Sequence, residues 1–397
     1  MNDLAVAAAL RHAFSLALPE IMMIATACVM FLGGTFRKGR DLWGLFGLLG
    51  LALGLLALKH SPIEGALPNS EFIYASPLFY DRLAFLIKGI AIVGGVLLVL
   101  FSWQEVSDDL AAEYHACILL IVAGVCLTAT SNDLITLFLA LELISIPTYV
   151  VLYIPRRDEP AQEAATKYFL LSVLSSAFLL FGFSYLYGLT GTTNIPAIID
   201  TLQQGRGGAP VLPLALVALV MIVAGLGFKI TAVPFHFYAP DVYQGTATVT
   251  AALLAFVPKV AGFVALVRVL GFVWAGRADA GLAFGTQLPL LLWILAAVTM
   301  TLGNFLALLQ TNVKRLLAYS SVAHAGYMLI GLTVAQDLGN SESTIPGGIQ
   351  AILFYLVAYG AMTIGAFAVL AYLSTPERPV ETEDDLSGLG LSHPKIA

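Results

Sequence analysis

Glu142, Lys167, Lys229, Lys259 and His324 are ionisable residues placed within long apolar stretches. At the centre of a lipid-embedded helix such a charge costs about 2.5–3.5 kcal/mol on insertion scales, so it faces protein or water rather than acyl chains. Carboxylates, amines and imidazoles can all exchange protons. Arginine cannot do so in proteins, and the deepest cations here are all lysines. Desolvation disfavours an ammonium and a nearby carboxylate restores it, so a lysine balanced between the two changes charge when its partner moves or is neutralised. Glu142 facing Lys229, followed inward by Lys259, would form such a series, with water between the members. Structural pairing alone explains the same residues, and a lone histidine such as His324 is more often structural. Lys88 and Lys167 lie nearer span ends, where a long side chain can also reach the headgroups.

The neighbouring residues are polar at helical spacing. Glu142, Ser145 and Tyr149 share one helix face, and Ser320, His324 and Tyr327 share another. Interhelical hydrogen bonding would produce the same stripes. In "FKITAVPFHF" (228–237), Pro234 lacks an N–H and crowds the carbonyl of Ile230, which predicts a break beside Lys229. Irregular backbone at membrane depth is tolerated where it is buried in protein or lines a wet cavity, and transporters place ion sites at such breaks. Pro258, just before Lys259, is expected to repeat the device by disturbing the Leu254 carbonyl. A packing kink accounts for either proline taken singly.

These groups must be carried by membrane helices. Of 397 residues only 11% are charged, against about 25% in a soluble domain. Eleven spans are predicted, near 13–33, 42–58, 83–102, 114–130, 134–154, 164–189, 212–237, 247–270, 287–309, 314–334 and 349–373, each long enough for a hydrocarbon core of about 30 Å. The chain is therefore read as an all-α polytopic membrane protein. Gly50 and Gly54 form a GxxxG that admits a close neighbour. The longest polar connection is 190–212.

The basic clusters Arg37-Lys38-Gly39-Arg40, Arg156-Arg157 and Lys314-Arg315 follow spans one, five and nine, so they share one side, and basic loops tend to stay in the cytoplasm. That places the N-terminus outside. Arg268 and Arg277 run against this trend, and the connection carrying Glu105, Asp108, Asp109 and Glu113 has no basic residue. The final "ERPVETEDDLSGLGLSHPKIA" reads as an acidic loop leading toward an expected twelfth span.

Several chemistries lack their signatures. There is no phosphate-binding G-x-x-x-x-G-K-[ST] loop, no G-x-G-x-x-G turn and no C-x-x-C-H. Cys28, Cys117 and Cys126 form no close pair, and the histidines at 12, 60, 115, 236, 324 and 393 are scattered singly rather than paired for stacked haems. The first apolar run lacks a basic leader and carries Pro19 and Glu20, unlike a cleavable signal.

"NDLITLFLALELISIPTYVVLY" (132–153), "TKYFLLSVLSSAFLLFGFSYLYGLTG" (166–191), "FKITAVPFHFYAPDVYQG" (228–245), "PKVAGFVALVRVL" (258–270) and "QTNVKRLLAYSSVAHAGYMLIGL" (310–332) together resemble the antiporter-like membrane subunits of respiratory complex I. The "APDVYQG" form is similar to the subunit N branch rather than to branches L or M. The resemblance implies inverted five-helix repeats with a broken seventh helix. Residues 1–110 would hold helices 1–3, 111–273 the first repeat, and 285–397 an incomplete second one. It carries the family's helix-five glutamate onto Glu142, its broken-helix lysine onto Lys229, its helix-eight lysine onto Lys259 and a helix-six lysine onto Lys167. A further family lysine, in helix twelve, would lie beyond Ala397.

The function so implied is proton translocation in the membrane arm of a bacterial NADH:quinone oxidoreductase, in the cell inner membrane. No cofactor would sit in this chain; NAD, FMN and iron–sulfur clusters would belong to partner subunits and quinone to the complex, with no nucleic acid as a partner. The same family also contains subunits of multisubunit sodium/proton antiporters and membrane-bound hydrogenases, which is the alternative. A haem- or quinone-binding electron carrier is the rival of a different class.

Overall fold

In the computed structural model, the described residues are 13–61, 76–203, 211–275, 284–335, 347–374, 380–392 and 394. The spans begin with α1 (Leu18–Phe36), α2 (Arg40–His60), α3 (Arg82–Ser102), α4 (Ala111–Thr130), α5 (Leu134–Tyr153) and α6 (Glu159–Thr190). A short α7 (Ile195–Gln203) leads to α8 (Val211–Lys229) and the seven-residue α9 (Ala239–Gly245). The remainder comprises α10 (Thr248–Ala275), α11 (Phe284–Leu308), α12 (Val313–Thr333) and α13 (Gly347–Leu373). Among the described residues ten helices are long and apolar enough to cross a bilayer, and Pro213–Lys229 adds a shorter apolar one. Each expected span thus has its helix.

The helix starts are satisfied where they leave the apolar layer. Asp81, Asp133, Asp158 and Asn312 each cap the helix that follows, accepting from the amides of Ala84, Ile135, Ala161 and Arg315. The end of α6 is closed by Gly191 at φ +69, a left-handed position that suits a residue without Cβ.

Helices α4 and α10 form the interior. Their apolar windows are 83% and 89% buried, while α11, at 22%, turns most of its surface outward. Close crossings need small residues, since lipid supplies little hydrophobic drive between helices. A Cβ on Gly225 of α8 would come within 2.9 Å of the Ser175 carbonyl in α6. At Gly50 and Gly54 of α2, an added Cβ would meet Thr26 at 3.0 Å and Met23 at 3.2 Å, so α1 occupies the groove that the GxxxG predicted.

Charges at the two ends of the bundle are matched. The basic loop after α1 docks on the acidic one after α3: Lys38 pairs with Asp109 at 2.6 Å, and the Arg40 amide donates to Asp108 at 3.1 Å. At the opposite end Arg268 grips Asp81 with two bonds, 2.8 and 2.7 Å, and also donates to the Ala129 carbonyl. Asp81 thereby neutralises the arginine that ran against the basic-loop trend and ties α10 to the start of α3. Arg277, His12 and His393 lie outside the described residues.

Candidate functional site

The break beside Lys229 exists, but Pro234 does not set it alone. Helix α8 stops at Lys229, and Thr231 follows in the left-handed region at φ +60, costly for a β-branched residue. The Ile230 carbonyl, expected to be free, accepts the Thr231 hydroxyl at 2.6 Å. The Val233 amide leaves the helical pattern altogether and donates to Thr299 of α11 at 3.1 Å. Side chains therefore take over backbone groups that the helix no longer pairs, the condition for irregular backbone at this depth.

Lys229 is 4% exposed and donates to the Ser145 hydroxyl at 2.7 Å. Ser145 in turn donates to the Leu141 carbonyl at 2.8 Å, so both sides of its hydroxyl are used. Glu142 and Lys229, expected to face each other with water between, make no contact ion pair. Glu142 accepts from Ser176 of α6 at 2.5 Å, yet remains close enough to act on Lys229 electrostatically. Tyr149, third in the α5 stripe, donates to Ser172 at 2.8 Å. The stripe thus faces serines of α6 and the lysine of α8.

Lys167 stands apart from these contacts. It bridges Glu163 at 2.6 Å and Asp241 at 2.7 Å, and Asp241 also takes Arg315 at 2.6 Å. The cluster borders a cavity of about 420 Å³ whose lining includes Arg156, Gln244 and Lys314. Two of the basic loops meet here, as their shared side required. Burial works to raise the Asp241 carboxyl, but the hydrogen bonds from Lys167 and Arg315 outweigh it and hold the group below the usual carboxylate range.

Lys259 has no exposed surface. Its ammonium donates to the Ser321 carbonyl and lies 4.9 Å from the centre of the Tyr359 ring. Pro258 does not repeat the break: α10 runs continuously from Thr248 to Ala275. The disturbed turn is instead met from outside, where the Tyr359 hydroxyl donates to the Ala255 carbonyl at 3.2 Å. His324 lies across the same tyrosine, with ring centres 5.1 Å apart, and its Nδ1 is 2.6 Å from the Tyr355 hydroxyl.

One expectation is reversed. Lys88 does not reach toward headgroups; it is fully buried and pairs at 2.8 Å with Glu20, itself 2% exposed. It also donates to the Leu16 carbonyl at 3.0 Å. Sequence reasoning passed over Glu20, Ser172, Ser176, Ser321, Tyr355 and Tyr359. The signal for four of them was present, since Ser172/Ser176 and Tyr355/Tyr359 each repeat at i, i+4 inside an apolar span. Among the described residues no three His, Cys, Asp or Glu side chains gather as a metal site.

The family described as NADH:quinone oxidoreductase/Mrp antiporter, TM matches residues 131–397. A relative named NADH-quinone oxidoreductase subunit N 1, from Koribacter versatilis, is 39% identical over 98% of this chain and 75% of its own length. The chain belongs to the subunit N family. A second member, from Rhodospirillum rubrum, is 36% identical over 96% of this chain and 74% of its own. A chain in the solved structure of respiratory complex I from Thermus thermophilus with bound aureothin matches with a TM-score of 0.72 and 32% identity, over 96% of this chain and 75% of that one. As a subunit N family member the chain spans about three quarters of the length of these relatives.

Proposed function

We propose that the chain is a membrane-arm subunit of a proton-translocating NADH:quinone oxidoreductase. It moves protons through a row of buried and half-buried groups while electron transfer takes place in other subunits. Moving one charge across 100 mV takes about 2.3 kcal/mol, which a partner must supply. NAD, FMN, iron–sulfur clusters and quinone are assigned to those partners. The setting is a bacterial inner membrane, with the basic loops cytoplasmic and the N-terminus periplasmic.

The observation that carries this reading is Lys229. It ends a broken helix, is desolvated, and is held by a neutral hydroxyl with Glu142 acting from nearby. We assign Glu142, Lys229, Lys259 and His324 to the proton row and Lys167 to its approach from the cytoplasmic cavity. Residues 111–273 are taken as the first five-helix repeat and 285–397 as part of the second. A sodium/proton antiporter subunit could use similar groups, but the relatives named subunit N, at 36% and 39% identity over nearly the whole chain, favour the oxidoreductase.

The test uses assembled complexes in inside-out vesicles, with quinone-dependent NADH oxidation and lumen acidification read together. Lys259→Arg, which keeps the charge but cannot release it, and Lys259→Met should both lose acidification. Normal pumping by Lys259→Arg would leave Lys259 a counter-charge only and overturn the proposed row.

A further inference from the structure

Lys259 and His324 both lie against the ring of one tyrosine. Tyr359 of α13 places its ring 4.9 Å from the Lys259 ammonium and 5.1 Å from the His324 ring. Its hydroxyl lies 2.7 Å from the Ser321 hydroxyl of α12, which lies 3.4 Å from the Tyr243 hydroxyl of α9. One turn earlier on α13, Tyr355 reaches His324 Nδ1. Helices α9, α12 and α13 thus contribute hydroxyls to one cluster, in which Ser321 and Tyr359 are 2% exposed each.

Among the described residues no carboxylate pairs with Lys259; its partners are a carbonyl oxygen and a π face. Removing any one such neutral partner leaves no opposite charge behind, which suits a group that alternates between ammonium and amine. The Ser321 carbonyl can only accept, so it cannot pass a proton onward, whereas a hydroxyl accepts and donates at once. Tyr359 presently donates to the Ala255 carbonyl. Turning that O–H from the Ala255 carbonyl to the Ser321 hydroxyl points its proton along the relay, while a lone pair of the tyrosine oxygen accepts from Lys259.

We propose that Tyr359 and Ser321 are proton-relay residues that connect Lys259 to His324. This rests on the proton-carrying reading of Lys259. In the step, the Lys259 N–H bond breaks and its proton joins the Tyr359 oxygen, while the original Tyr359 proton leaves to the Ser321 oxygen. The serine proton moves on in the same way toward the imidazole side, by way of water. Lysine ends neutral, both hydroxyls are restored, and the single positive charge has advanced; no electron changes hands.

The experiment uses the assembled complex carrying Tyr359→Phe, Ser321→Ala or Ser321→Thr, with Lys259→Met alongside. Phe keeps the ring and its contact with Lys259 and removes only the hydroxyl. Tyr359→Phe and Ser321→Ala should cut vesicle acidification and coupled NADH oxidation about a hundredfold, the lower end of what a positioned proton-transfer group contributes. The residual rate should show a larger solvent deuterium isotope effect, which a packing defect would not produce. Ser321→Thr should restore the rate. Normal pumping in Tyr359→Phe, with Lys259→Met inactive, would overturn the relay and leave the row itself standing; normal pumping in Lys259→Met would overturn the row. Should Tyr359→Phe fail to assemble, the Ser321 pair decides, since equal rates for Ala and Thr would equally overturn the relay.

Discussion

Lys229 is bound by Ser145 and not by Glu142: Nζ lies 2.7 Å from the serine oxygen, while the glutamate takes the hydroxyl of Ser176 at 2.5 Å. A contact ion pair in a dry interior is hard to separate once formed. With a serine hydroxyl on each, the two side chains form no contact pair and the coupling between them stays adjustable. Ser145→Ala leaves the ammonium without its acceptor, at about 1.5–3 kcal/mol for a bond to a charged group. Acidification of vesicles by assembled complexes should fall with Ser145→Ala, and Ser145→Thr should retain it. Equal loss in both would assign Ser145 to packing.

Glu142→Gln separates charge from hydrogen bonding. A glutamine oxygen can still accept from Ser176, so thermal stability of the complex should be nearly unchanged. The electrostatic influence on Lys229 disappears, and pumping should drop together with coupled NADH oxidation. A variant that pumps like the parent would remove Glu142 from the proton row.

The Glu20–Lys88 pair lies in the first three helices, away from the proposed row, and its role is expected to be structural. Removing one partner strands a buried charge and costs about 3–5 kcal/mol. Lys88→Met or Glu20→Leu should lower the unfolding temperature sharply in detergent. The double variant should recover most of the loss, because no charge is then unpaired. A double variant as unstable as either single one would contradict this.

Asp241, outside the spanning helices, gives a pH signature. Its carboxyl is held low by Lys167 and Arg315 against the opposing effect of burial. A depressed folded value means that the contribution to stability is complete above the unfolded value of roughly 3.9 and fades as pH falls through the folded one. Asp241→Asn should therefore melt earlier than the parent at neutral pH, with the gap closing only in strong acid. Melting curves across pH check this, and a gap that widens in acid would reverse the assignment.

Much of the protein was legible in one dimension because lipid imposes a coarse rule: apolar runs of sufficient length become helices, and ionisable residues within them need partners. That rule placed eleven spans and the deep positions of Lys229 and Lys259, and the ring of Pro234 added the break near Lys229. Partner choice was beyond it. Helical periodicity tells which residues share a face but not which helix that face meets, so the hydroxyls that hold Glu142 and Lys229, from Ser176 and Ser145, were not assigned. Lys88 was read as reaching the headgroups because its partner lies 68 positions away, in a helix whose contact with α3 only packing creates. The two prolines looked alike in sequence. Tertiary surroundings separated them: around Pro234, Thr231 and Thr299 capture backbone groups and the helix ends, whereas Pro258 is embedded in the most buried helix, which stays continuous while Tyr359 serves the carbonyl beside it.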